Sequence, residues 1–139
     1  MNLTERAVSY FASGCNCAQS ILEAFLPAVG LDRDTASHIG AGLGGGIGGR
    51  QETCGALNGG SIVLSFARAS AGYGDASSRV ADLVERFKAE FGSARCIDVL
   101  GYDKNDPAAV AAAPPDAKDV CARCVRFVAR RLDSELAST

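Results

Sequence analysis

The sequence is short of the features that several common functional classes depend on. It has no basic excess: a formal net charge of −2 and a pI near 5.3 leave no cationic footprint, so nucleic acid is not an expected partner. Long apolar runs are missing as well. The longest uninterrupted stretches, such as IVL before Ser65 and AAVAAAPP towards the C-terminal end, fall far short of the roughly 20 residues a membrane helix needs. Membrane insertion is therefore not expected. The opening MNLTERAVSYFAS contains Glu5 and Arg6 and lacks a basic start followed by an apolar block, which argues against a secretory signal and for a cytoplasmic protein. There is a single histidine, His38, in TASHIGAGL. A Cys/His catalytic pair would have to bring that residue beside a cysteine, and a helix-surface or loop position suits it better. Alternating β-branched segments are also lacking, which removes the signal for strands.

What is present is an apolar pattern at helical spacing. With 139 residues, 47% of them hydrophobic, the chain has the size of one domain, 1–139, around one core, since single cores run to about 100–200 residues. Thr4 is a cap for a first helix through Phe11, with Ala7, Val8 and Phe11 inward and Gly14 ending it. Asn16 caps a second, whose Ile21, Leu22, Phe25, Leu26 and Val29 form one stripe. Pro27 kinks its last turn and Gly30 closes it. A third helix is expected over Asp34–Leu43, ahead of a glycine-rich loop. Thr53, or the preceding Gln51–Glu52, starts a fourth helix that is apolar on nearly every side beyond Leu57, the mark of a central element. Its Gly55 and Gly59, four apart, permit close backbone approach on one side. A fifth helix begins at Asp75 or Ser77 and carries Val80, Leu83, Val84, Phe87 and Phe91 to Gly92. Ser93 caps a short sixth helix ending at Gly101, YDKNDPAAVAAAPPD reads as a loop, and Asp116 leads into a final helix with Val120, Cys124, Phe127, Val128, Leu132 and Leu136. The expected fold is an all-α, single-domain bundle of about six to seven helices, with the glycine-rich loop before a central buried helix.

Six cysteines, at 15, 17, 54, 96, 121 and 124, are the chemical feature. In a reducing compartment they point to metal ligation or redox chemistry rather than to a disulfide framework; the alternative is that they fill core positions as small hydrophobes. Cys17 follows the cap Asn16, Cys54 follows the cap Thr53, and Cys96 stands three residues after the cap Ser93. Three cysteines thus fall in the first turns of three helices, where unpaired N–H groups and the helix dipole stabilise a thiolate. The glycines before Cys54 turn the chain tightly and let other groups approach its sulfur. Cys121 and Cys124 form CARC about two turns into the last helix, unlike the post-strand redox CxxC, and the CNC at 15–17 is too strained for a disulfide. GGGIGG holds a formal GxGxxG at Gly44, Gly46 and Gly49, but no strand precedes it, so it fails as a dinucleotide signature.

The runs NCAQSIL, GAGLGGGIGGRQETCGALNGG, FGSARC and CVRFV resemble, in order and over most of the chain, the C_GCAxxG_C_C family of small bacterial and archaeal proteins described as redox-active. Cys54 to Gly59 fits the CGAxxG core. The resemblance implies four signature cysteines, which by position are Cys17, Cys54, Cys96 and Cys124; the last is preferred over Cys121 because the family's final cysteine precedes an aromatic–Val pair, here Phe127–Val128. Cys15 and Cys121 are then additions. Two redox readings follow: a dithiol/disulfide carrier with Cys54 as attacking thiol and Cys17, Cys96 or Cys124 resolving, or ligation of an iron–sulfur cluster by Cys17, Cys54, Cys96 and Cys124. A structural Zn²⁺ on the same thiols, or metal-free packing cysteines in a helical partner-binding domain, are the alternatives. The pattern leaves open whether the chain is an oxidoreductase or an electron or thiol carrier. A redox partner protein is expected, and a homodimer is compatible with so small a chain.

Overall fold

The computed structural model describes residues 1–137, and among them the chain is all-α, with eight α-helices and no strand. The helices are α1 (Leu3–Ala12), α2 (Cys17–Phe25), α3 (Arg33–Gly40), α4 (Gly55–Ala67), α5 (Tyr73–Phe91), α6 (Cys96–Leu100), α7 (Pro107–Ala112) and α8 (Asp119–Ala137), with 3₁₀ turns at Leu26–Val29 and Ala69–Ala71. Among these, α4 is the hub, packing on α2, α5 and α8, while α1 lies across α2 and α8.

The central helix is apolar along its inner face, while Ser65 and Phe66 in its last turn are exposed. Ala56, Leu57, Val63 and Leu64 are fully or almost fully buried, facing Ile21, Leu22 and Phe25 of α2 and Leu83, Phe87 and Val128 of the far side in one core. Its glycines let neighbours come close, as their spacing predicts: a Cβ at Gly59 would stand 3.1 Å from the Ala18 carbonyl oxygen and from Ile21 Cβ. At the outer end of the core Phe87, Phe91 and Phe127 form a triad with centroids 4.7–6.1 Å apart, two of the contacts edge-on, the arrangement ring quadrupoles favour.

Helix starts differ from expectation in instructive ways. Asn2, not Thr4, caps α1: its side chain accepts from the Glu5 N–H at 2.8 Å, and Glu5 reaches back. Thr4 is instead buried and donates its hydroxyl to Asp133 of α8. Asp32 caps α3, which stops at Gly40, three residues short of Leu43: the chain continues in tighter turns, with the Ala41 N–H bonding to the His38 carbonyl at 3.4 Å and the Leu43 N–H to the Gly40 carbonyl at 3.0 Å, before it becomes left-handed at Gly45. The last turn after α2 tightens to 3₁₀ at Pro27 rather than kinking. PAAVAA, read as loop, forms α7 with Pro107 in its first turn and Asp106 as cap, positions that suit both residues. The final helix begins at Asp119 rather than Asp116, since residues 115–118 are spent in a turn. No helix among the described residues is long and apolar enough to cross a membrane.

Candidate functional site

The site is built from helix beginnings. Asn16 caps α2 through a reciprocal pair with Gln19: Asn16 Oδ1 accepts from Gln19 N–H at 2.7 Å, and Asn16 N–H donates to Gln19 Oε1 at 3.1 Å. Asn16 Nδ2 also donates to the Gly40 carbonyl at 3.1 Å, tying the end of α3 to the start of α2. Cys17 is then the first residue of α2.

Between α3 and α4 the backbone runs left-handed. Residues 45 to 49 all have positive φ, 63°, 78°, 65°, 60° and 71°, and Gln51 follows at 57°. Only glycine takes such angles freely. The exception inside the run is exposed, β-branched Ile47, a strained residue of the kind that persists only where its surroundings dictate the conformation. The turn is closed by its own amides, Gly48 N–H to the Gly42 carbonyl at 2.8 Å and Glu52 N–H to the Gly46 carbonyl at 2.8 Å. A Cβ at Gly46 would stand 2.8 Å from Cys96 Cβ, so the loop can press against that cysteine only as glycine.

After the loop, residues 52–54 extend beside 94–96. The Cys54 N–H donates to the Ala94 carbonyl at 2.8 Å and the Cys96 N–H to the Glu52 carbonyl at 2.7 Å, on either side of a Thr53–Arg95 bridge. This clamp sets two distant cysteines side by side. Cys54 occupies the N-cap position of α4 itself, with Thr53 committed to the bridge, and Cys96 is the first residue of α6, with Arg95 at its cap position. Ser93 helps by accepting from the Arg95 N–H at 3.0 Å and donating to Asp98 at 2.8 Å.

The four cysteines singled out in the sequence come together. Cys17, Cys54, Cys96 and Cys124 line one cavity of about 190 Å³, and Cys121 joins them. Because α8 starts at Asp119, Cys121 lies in its first turn and Cys124 one turn on, not two turns deep. Five thiols thus reach one space from the beginnings of α2, α4, α6 and α8. Phe11, Val99 and Leu100 supply apolar wall, and among the described residues the only charged ones lining it are Lys104 and Lys118. All six cysteines are free thiols. Cys15 stands apart: its sulfur donates to Glu23 at 3.5 Å, beside an Arg33–Glu23 ion pair at 2.8 Å, and burial and that carboxylate push its pKa up. His38 is on the exposed surface of α3 and bonds to the Asp34 carbonyl at 2.8 Å.

The electrostatics single out one sulfur. A hydrogen bond from the Cys124 thiol, with help from the Leu57 and Ala56 N–H groups at the start of α4, outweighs burial and brings Cys54 down from 9.0 to about 7. Its partner moves the other way: Cys124 is pushed up by donating to Cys54, by burial and by the adjacent thiolate charge. Cys96 rises to about 11 through burial and repulsion from Cys54. Cys17 and Cys121 are also raised, chiefly by burial. The expectation that every first-turn cysteine favours its thiolate therefore holds only at Cys54; at Cys17 and Cys96 desolvation outweighs the helix start, although the Gly45 backbone lowers Cys17 somewhat.

Thiolates are the donors that iron–sulfur clusters and structural zinc take. As arranged, however, no three His, Cys, Asp or Glu side chains among the described residues form a group that could hold a metal ion. The thiol set suits such a group chemically, but its present geometry does not.

An all-α chain that collects free thiols from separate helix starts, one of them acidified, defines a thiol-centred protein. A model of the family described as "Putative redox-active protein (C_GCAxxG_C_C)" matches residues 15–134, and the chain belongs to that family. No curated protein and no solved structure matches it.

Two features of the site were not placed by the sequence pattern. Cys121, an addition to the signature whose part in the site was left open, joins the cavity because of where α8 begins. Gln51, buried at positive φ, accepts from the Lys104 N–H at 2.9 Å and donates to the Tyr102 carbonyl at 2.8 Å, so it fastens the 102–104 segment to the glycine loop. A polar residue beside glycines carries no periodic signal that would reveal this.

Proposed function

We propose that the protein is a dithiol/disulfide carrier in which Cys54 attacks and Cys124 resolves. What supports this is that Cys54 and Cys124 are free thiols lining one cavity, with Cys124 the main cause that brings Cys54 to about 7 while Cys124 itself is raised. A thiol whose pKa lies near ambient pH is the best attacking group, since it combines thiolate fraction with nucleophilicity.

The steps balance without further reagents. Cys54 thiolate attacks one sulfur of a substrate disulfide, forming a mixed disulfide and releasing a thiolate. Two of the causes that raise Cys124, its bond to the Cys54 thiolate and the repulsion of that charge, end at that moment. Cys124 then gives its proton to the departing thiolate and attacks the Cys54 sulfur, so that a Cys54–Cys124 disulfide forms and the second arm leaves as a thiolate. In the reverse direction the protein disulfide accepts electrons from a dithiol partner. The resting dithiol fits a reducing compartment such as the cytoplasm.

Anaerobically prepared protein, analysed for iron, acid-labile sulfide, zinc and free thiols before and after mild oxidation, tests the reading. Expected is a metal-free protein that loses two thiols reversibly, with peptide mapping linking Cys54 to Cys124. Stoichiometric iron with sulfide, or zinc, favours a metal centre on these cysteines instead; thiols that stay inert until denaturant is added leave only packing.

A further inference from the structure

The thiol cavity has a one-sided charge. Lys104 and Lys118 line it, and among the described residues no Asp or Glu does. Neither lysine is in an ion pair among those residues. In a chain with more acidic than basic residues, 16 against 14, two unneutralised ammonium groups at one small cavity are a local reversal of sign.

Lys104 is also held in place. Its backbone N–H is fixed by buried Gln51, and the next residue, Asn105, donates through Nδ2 to the Gly49 carbonyl at 2.9 Å. Its side chain lies across the left-handed loop: a Cβ at Gly45 would overlap Lys104 Nζ, and one at Gly49 would stand 3.7 Å from it. Gly45 itself lines the cavity. The glycine run therefore makes room for an ammonium group beside the sulfurs as well as turning the chain. The same charge acts on the thiols, lowering Cys96 and Cys121 against the burial that raises them.

We propose that the cavity selects low-mass disulfides bearing carboxylates, and that Lys104 and Lys118 are the residues that select them. This rests on the dithiol reading of the same site. A cavity of about 190 Å³ admits one short arm of such a molecule rather than a folded protein chain. Its carboxylate meets the lysines while its sulfur faces Cys54. The exchange is the one given above: Cys54 thiolate displaces one carboxylate-bearing thiolate, which takes the Cys124 proton, and Cys124 displaces the other. Positive charge at the mouth also raises the encounter rate of anions in a salt-dependent way.

Three disulfides with matched arms provide the test: 3,3′-dithiodipropionate (anionic), bis(2-hydroxyethyl) disulfide (neutral) and cystamine (cationic). Rates of thiol oxidation are measured at low and high ionic strength for the wild type, Lys104→Gln, Lys118→Gln, the double variant and Cys54→Ser. The expected order in wild type is anionic, neutral, cationic, with an anion-to-cation ratio of about tenfold or more at low salt that shrinks at high salt. Each lysine substitution lowers that ratio and the double variant brings it near one. Being a ratio within one protein, it is insensitive to the fraction folded. A wild-type ratio at or below one, or a ratio unchanged in the double variant, overturns the selection by lysines while leaving the dithiol reading intact. If Cys54→Ser reacts with the neutral disulfide as fast as wild type, the dithiol reading fails and this inference falls with it.

Discussion

At Cys54 opposing effects meet on one sulfur. Burial favours the thiol, whereas the Cys124 thiol and the Leu57 and Ala56 N–H groups favour the thiolate; the hydrogen bonds win, because the group settles at about 7 rather than 9.0. The largest of these contributions belongs to a single side chain. Replacing Cys124 with alanine removes it and leaves the burial, so Cys54 moves back to or above its ordinary value. At pH 7 the thiolate fraction then falls from about one half to about one hundredth, and alkylation by iodoacetamide slows by about tenfold or more. Cys124→Ser keeps a donor and slows less. Equal rates in all three proteins at pH 7 would show that Cys124 does not hold the thiolate.

The elements matter through their first turns. Four helices deliver sulfur to one cavity, and at the start of α2 Asn16 both caps the helix and bonds to the end of α3. Asn16→Ala loses both, and unfolding by urea is expected to show a destabilisation of about 1–2 kcal/mol; a change within a few tenths would mean that the cap is dispensable. This start was legible in the sequence because an Asx cap, an apolar stripe and a following Gly30 agree on one helix. The start of α8 was not. Asp116 and Asp119 are equally good openings, and Pro114–Pro115 decide between them by holding residues 115–118 in a turn, which moves Cys121 by almost a full turn and into the site.

In the molecule as a whole, one thiol is acidified while the other five are raised, and this gives stability a pH dependence. Cys54, lowered in the fold, contributes stability that is present above pH 9 and lost as pH falls towards 7. Cys96, raised to about 11, contributes stability that is present below pH 9 and lost as pH rises to 11, and the other raised thiols act in the same sense. Between pH 9 and 10.5 the raised group outnumbers the lowered one, so the urea midpoint of the reduced protein is expected to fall, and Cys96→Ala to flatten the decline; a flat wild-type profile would contradict this. The convergence of positions 17, 54, 96 and 124 was readable from helix starts and the family resemblance. The lysines and Gln51 were not, since their places depend on contacts between distant segments, Gln51 with 102–104 and Lys118 in the turn before α8, that carry no periodic signal. The chemistry of the site rests on a thiolate at Cys54 near neutral pH. Ultraviolet thiolate absorbance, titrated anaerobically in wild type and Cys54→Ser, tests it most directly. One deprotonation with a midpoint of about 7 is expected in wild type and is missing from the variant; a first deprotonation no earlier than pH 9, or one that survives in Cys54→Ser, would mean that Cys54 is not an acidified thiol.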